Sequence, residues 1–419
     1  MRGPERPAPP GGGRAAVGRS GASHACCDAV RRSALTSVRR DVVRRSCSRG
    51  RRRACPDQGS SGAVIVSPCR PETVSTIRRG EGLRFARLQS GKTAVAQEDR
   101  FIDLHGAVTA FSAHDPSASS ILTGLLPTAD ADWTSLIDGW DKARAAVESL
   151  LVWAAKEGGY DVVLDGAPPL AAPSIAVLAI GANFATHAAR SEFAIEGGGV
   201  ATSDRVAKLL EARRSGVPPW GFQILPRTVV GDGGRLGRPS GFSYLDYEGE
   251  VGVVLRGGET PRVWGVVAVD DVSVRDPYFS SGAPRIDEGP LTWVLQKNFR
   301  GGTACGPWVV VDEDLDENDL NIQTRVNGKL RQSGSTSEMV YSFADVVDHL
   351  HGFIPLRAGD IIASGTPAGT AFEEGADGPF LVDGDEVVVE VEGVGSLRNV
   401  VGKTPTGSGT AEKGTADGK

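Results

Sequence analysis

The chain has 419 residues, 40% of them hydrophobic and 23% charged, which is enough apolar material for one large core or two moderate ones. No apolar run reaches about 18 residues, and no apolar segment near the N-terminus precedes a small-residue cleavage site, so neither a membrane span nor secretion is supported. The net charge of −6 conceals an asymmetry: residues 1–80 carry 17 arginines, no lysine and five acidic residues, so that segment is about +12 and the rest about −18.

Residues 1–82 form an arginine-rich leader, "RRSALTSVRRDVVRRSCSRGRRRACPDQ" at its centre. Three readings stay open for it: a disordered or mis-assigned upstream extension, a targeting segment, and a basic binding arm. Its lack of lysine and of apolar periodicity favours the first and argues against a nucleic-acid partner. Five of the six cysteines fall in the first 69 residues, leaving Cys305 alone in the body. A single cysteine makes no internal disulfide, so the body suits a reducing compartment, by default the cytoplasm.

Short β-like runs begin at "LRFARLQSGKTAVAQEDRFIDL", Leu83 to Leu104. From Trp133 to Lys156 the spacing of Trp133, Leu136, Trp140, Ala143, Val147, Leu150 and Leu151 predicts a helix, stopped by "EGG" at 157–159. Residues 83–172 read as a small N-terminal α+β domain, with "DGAPPLAAPS" (165–174) as the linker. A long strand-rich segment, 173–402, follows, and 403–419 has the composition of a flexible tail.

Within that segment, "YLDYEGEVGVVL" (Tyr244–Leu255) alternates as a strand. Leu245, Tyr247, Val251, Val253 and Leu255 fall on one side, and Asp246, Glu248 and Glu250 on the other. Same-face neighbours on a strand lie roughly 7 Å apart, so two sheltered glutamates would repel one another unless something positive lay between them. A solvated sheet face is the plainer alternative. A second apolar strand, "VWGVVAVDDVSVRD" (Val263–Asp276), runs into Asp270 and Asp271. A third carboxylate could complete a set of hard oxygen ligands suited to Mg²⁺, Mn²⁺ or Ca²⁺, although acids at strand ends are also ordinary turn chemistry.

"LDYEGEVGVV" and "VDDVSVRD" resemble the two metal-bearing strands of the fumarylacetoacetate hydrolase family. "QKNFRGGTACGPWVV", "VNGKLRQSGSTSEMVYS" and "LRAGDIIASGTPAG" continue its motifs in order. The resemblance implies an α+β fold with a large β-rich domain of mixed, rolled sheets, common homodimerisation, and a metal site of Glu248, Glu250 and Asp271 for Mg²⁺ or Mn²⁺, with Ca²⁺ as a further possibility. It also implies that Lys297, Thr366, Gly365 and Gln332 contact substrate. His187, in "GANFATHAARSEF", matches the family's Asn-Tyr-x-x-His-x-x-Glu segment as the proton-moving residue.

The chain departs from that pattern at Arg190, where the family's C–C hydrolases carry the glutamate that orients the histidine. It departs again at Gln223, where lysine is expected. Glu192 and Glu196 are the nearby candidates to replace the missing carboxylate. The activity implied is metal-dependent hydrolysis of a C–C bond in a small β-diketo or 2-oxo acid of acylpyruvate or fumarylacetoacetate type, through a metal-stabilised enolate. The alternative on the same site is a decarboxylase, isomerase or hydratase of a 2-oxo acid.

Overall fold

The computed structural model describes residues 82–97, 100–127, 133–170, 174–196, 202–279 and 295–403. The leader, the tail and most of the loop at 278–293 lie outside the described residues, as do the readings that fall on them. The described residues form one compact unit.

The backbone of that unit is an 11-stranded mixed sheet. Near its middle, Gly249–Arg256 pairs antiparallel with Arg262–Asp270 on one side and with Ile361–Ala363 on the other. Arg262–Asp270 is followed outward by Thr303–Val311 and then by Leu83–Arg87, Thr93–Gln97 and Arg100–Asp103. On the opposite flank Ile361–Ala363 runs parallel to Val177–Ile180, and Gly221–Ile224 closes the order. The strands predicted from Leu83 onward are therefore part of the same sheet as the acidic strand. A second, five-stranded sheet contains Asn321–Val326, Lys329–Ser335, Glu386–Val391, Gly395–Lys403 and Arg235–Arg238.

Both faces of the large sheet are covered, which explains why its central strands are valine-rich rather than amphipathic. One face packs against the N-terminal helices, with Val254, Trp264, Val267 and Phe85 of the sheet sharing a core with Trp133, Leu136, Trp140 and Leu150. Trp264 lies at the centre of this layer, its ring centroid 5.5 Å from Phe85 and 5.6 Å from Trp140. The other face, with Val251, Val253 and Leu255, packs against residues of the five-stranded sheet such as Ile322, Val387 and Val389.

Two elements differ from the sequence reading. The single helix predicted at Trp133–Lys156 is two, Thr134–Asp138 and Trp140–Glu157, hinged at Gly139. Gly139 is pressed against Leu125 and the Ser135 carbonyl, where a Cβ would fall within 2.9 Å of both. The single strand predicted at Tyr244–Leu255 is interrupted: Leu245–Asp246 pairs with Ser273–Val274, Tyr247 and Glu248 leave the ladder, and Gly249–Arg256 resumes it.

Candidate active site

Three loops leave the large sheet at one end. Gly249 pairs with Asp270, and just beyond the ladder the Asp271 amide donates to the Glu248 carbonyl at 2.9 Å. On the other side the Ser364 amide donates to the Val251 carbonyl at 2.9 Å, so the turn "SGTPAG" arrives beside Glu250. Gly249 is needed between the two glutamates, since a Cβ there would lie 2.0 Å from the Thr324 hydroxyl.

These connections bring Glu248, Glu250 and Asp271 together. All three are buried, and each offers a carboxylate oxygen within 4.8 Å of the others. Asp270 and Asp246 are buried nearby. Five carboxylates thus share a sheltered region with two cations, Lys297 and Arg275. The Lys297 ammonium donates to Glu248 at 2.7 Å and to Asp271 at 2.6 Å, and Arg275 pairs with Glu248 and Asp246.

The electrostatics divide the acids. Burial opposes the charge of Glu248, but Arg275 and Lys297 outweigh it and hold its pKa below the usual carboxylate range. For Glu250, burial, then the Asp271 and Glu248 charges, outweigh the pull of Lys297 and push it well above that range. Burial likewise raises Asp271 and lifts Asp270 to about 7. For Lys297, burial disfavours the ammonium, and the Asp271 and Glu248 carboxylates more than restore it.

A divalent cation fits this arrangement on its own chemistry. The donors are hard carboxylate oxygens, negative charge is in excess, and the buried Asp271 Oδ1 has no hydrogen-bond partner among the described residues. Glu250 has an open oxygen as well, because the Gly365 amide engages only its Oε2, at 3.0 Å. Gly365 makes that contact at φ +80°, a left-handed conformation in which the Ile180 carbonyl also stands 2.7 Å from any added Cβ.

Gln332 and Thr366 turn inward. Gln332 accepts from the Gly249 amide at 3.0 Å and donates to the Thr366 hydroxyl and the Pro367 carbonyl, while the Thr366 hydroxyl donates to the Gly249 carbonyl at 2.9 Å. Both therefore clamp the strand between the two glutamates.

His187 lies in the helix Ala185–Glu196, whose approach is fixed by Asn183. That side chain donates to the Ser364 and Tyr341 carbonyls and accepts from the Tyr341 amide. The carboxylate that orients His187 comes from elsewhere in the chain: Glu373 Oε1 is 2.7 Å from Nδ1. Glu373 sits on the 3₁₀ segment Ala371–Asp377, is itself held by the Gly369 amide at 3.0 Å, and is nearly buried. Arg190 reaches its other oxygen at 3.4 Å. Glu192 instead pairs with Arg205, and the Glu196 side chain lies outside the described residues. Sequence reading passed over Glu373; its one signal was "AFEEG" directly after the glycine-rich turn.

Residues 176–402 match the family described as fumarylacetoacetate (FAA) hydrolase C-terminal, and the chain belongs to that family. An uncharacterized protein of Staphylococcus epidermidis is 28% identical over 327 residues, covering 74% of this chain and 94% of the relative. Among solved structures, maleylpyruvate hydrolase from Sphingobium sp. SYK-6, in complex with manganese (II) ion and pyruvate, superposes with a TM-score of 0.51 at 19% identity, over 76% of this chain and 99% of that one. A 5-carboxymethyl-2-hydroxymuconate delta-isomerase from Mycobacterium smegmatis gives 0.44 at 26% identity, over 59% and 87%. The fold is thus the mixed α+β architecture that the sequence motifs implied. Among the described residues no helix is long and apolar enough to cross a membrane.

Proposed function

We propose that this protein is a divalent-metal-dependent enzyme that hydrolyses a C–C bond in a small β-diketo or 2-oxo acid of acylpyruvate or fumarylacetoacetate type. The observation that carries the reading is the pairing of a buried three-carboxylate cluster with a histidine that has its own buried carboxylate partner. Glu248, Glu250 and Asp271 would hold Mg²⁺ or Mn²⁺. When bound, such an ion supplies positive charge that stabilises an oxyanion developing on the substrate.

The chain's own groups supply the rest. With Glu373 ionised, the His187 proton resides on Nδ1, which leaves Nε2 as the basic nitrogen that can take a proton from water. Arg190 cannot accept a proton, and Glu373 fills the orienting role instead. Lys297 offers an ammonium to the substrate carboxylate or enolate oxygen. Gln332, Thr366 and Gly365 hold the strand and turn that present Glu250.

A second reading rests on Arg190. Its guanidinium, 3.4 Å from Glu373, competes with His187 for the same carboxylate and loosens its hold on the imidazole, which favours decarboxylation, isomerisation or hydration of a 2-oxo acid on the same site. Product analysis by NMR on acylpyruvate and oxaloacetate panels with Mg²⁺ or Mn²⁺ separates the two. Two carboxylate fragments support hydrolysis; carbon dioxide or an unfragmented product supports the second reading. Full activity in Glu250→Ala would sink both.

A further inference from the structure

Asp246 shares the acidic face of the interrupted strand yet lies outside the three-carboxylate cluster. It is fully buried and heavily engaged. Oδ1 accepts from the Ala371 amide at 2.8 Å and from its neighbour Tyr247 at 3.1 Å. Oδ2 accepts from the Phe372 amide and from Arg275 Nε, each at 3.2 Å. Arg275 continues to Glu248 through its other arm, and its guanidinium lies over the Phe372 ring, 4.7 Å from the centroid.

Ala371 and Phe372 are the first residues of the 3₁₀ segment, whose opening amides have no partner within the segment. Thr370, at its N-cap, makes no side-chain cap hydrogen bond. Asp246, 125 residues earlier, does that work instead. The next residue is Glu373, the partner of His187.

We infer that Asp246 is a positioning residue that locks the Glu373–His187 pair into register with Glu248. One carboxylate fixes the backbone just before Glu373 and, through Arg275, the side chain of Glu248. Proton transfer and metal holding would otherwise depend on two chain segments free to shift independently. Asp246 is not one of the three clustered carboxylates and acts through Arg275 and the backbone of residues 371 and 372. This inference rests on the reading of Glu373 and His187 as the proton-moving pair.

The test uses the full chain with ¹⁵N-labelled histidine, following the His187 ring nitrogens, assigned by their loss in His187→Gln, in wild type, Asp246→Asn, Glu373→Gln and the double variant. Asp246→Asn is expected to move the Nδ1 resonance in the same direction as Glu373→Gln, and the double variant to match Glu373→Gln alone. Mn²⁺ affinity, measured by calorimetry, should fall about threefold to tenfold in Asp246→Asn, as Arg275, one of the two cations that hold Glu248, loses its anchor. With whichever 2-oxo acid is turned over, kcat should drop about tenfold or more while KM stays within about threefold.

Ala371→Pro removes only one of the tethering amides, at a position where the preceding Thr370 (φ −67°, ψ 157°) already suits a proline, and should give a smaller shift of the same resonance. It serves if Asp246→Asn does not fold. An unmoved His187 resonance in a folded Asp246→Asn protein overturns the inference. Absence of turnover on every 2-oxo acid would count against the proposed function instead, since the resonance tests the tether without catalysis.

Discussion

The strand Gly249–Arg256 has two ends with opposite physics. By alternation Glu250 and Val254 share one face, yet Val254 packs into a layer of tryptophans and leucines while Glu250 faces Asp271 and Glu248 across a buried gap. The apolar end is held by packing on both faces and gains stability from every atom removed from water. At the acidic end, like charges are confined together, and Gln332, Thr366 and Gly365 add their grip on its backbone and carboxylate to the ladder with Arg262–Asp270. Stability is stored at one end and spent at the other, as expected where a fold carries a reactive site.

The sharpest way to break the contrast is to remove a carboxylate from the acidic end. Glu250→Ala is expected to reduce Mn²⁺ affinity by about 100-fold or more in calorimetry and to abolish turnover, because one of the three proposed ligands is lost. Thermal stability of the metal-free protein should change little, since a carboxyl crowded by Asp271 and Glu248 is gone while the Gly365 amide loses its acceptor.

Next comes the carboxylate behind the histidine. Glu373→Gln should lower kcat about 10²- to 10³-fold. Glu192→Gln, which only breaks the pair with Arg205, should leave kcat within about twofold, so a reversed order would move the orienting role back to the helix.

At the apolar end the reverse pattern is expected. Trp264→Ala should cost about 3–5 kcal/mol in denaturant unfolding, for a large side chain removed from the centre of a packed layer. Mn²⁺ affinity should stay within a few-fold of wild type.

The last effect, spread over several pH units rather than seen at one pH, is in the pH dependence. Asp270 has its folded pKa raised to about 7 from 3.8, mainly by burial. Its contribution is thus most favourable below pH 4 and is lost as pH rises from about 4 to about 7, by at most on the order of 4 kcal/mol. Metal-free protein should lose stability across that window. Asp270→Asn should flatten the curve, and a pH scan of unfolding midpoints checks it.

How much of this was legible in the sequence follows the range of the interactions. Alternation marked the faces of Gly249–Arg256 because a strand's period is local, and Asp270 with Asp271 stood out as adjacent acids at a strand end. The break at Tyr247–Glu248 was invisible because it follows from tertiary pairing of Leu245–Asp246 with Ser273–Val274. Helical periodicity ran through Gly139, the C-cap of Thr134–Asp138, and the Leu125 side chain that leaves no room for a Cβ there comes from a different helix. Glu373 was hidden for the same reason: 186 residues separate it from His187, and no local pattern announces such a pair. Asp246 was visible as a carboxylate on the acidic face, but its attachment to residues 371 and 372 could not be read without the fold.

The pairing of Leu83–Arg87 with Thr303–Val311 has a practical corollary for anyone trimming this chain. Phe85 fills the space between Trp133, Trp140 and Trp264, so a cut beyond Arg87 would uncover the edge of Thr303–Val311 and empty an aromatic socket at once. A minimal expressible fragment therefore has to start upstream of Leu83. One begun at the family-matched segment alone, residue 176, is expected to self-associate through that exposed edge.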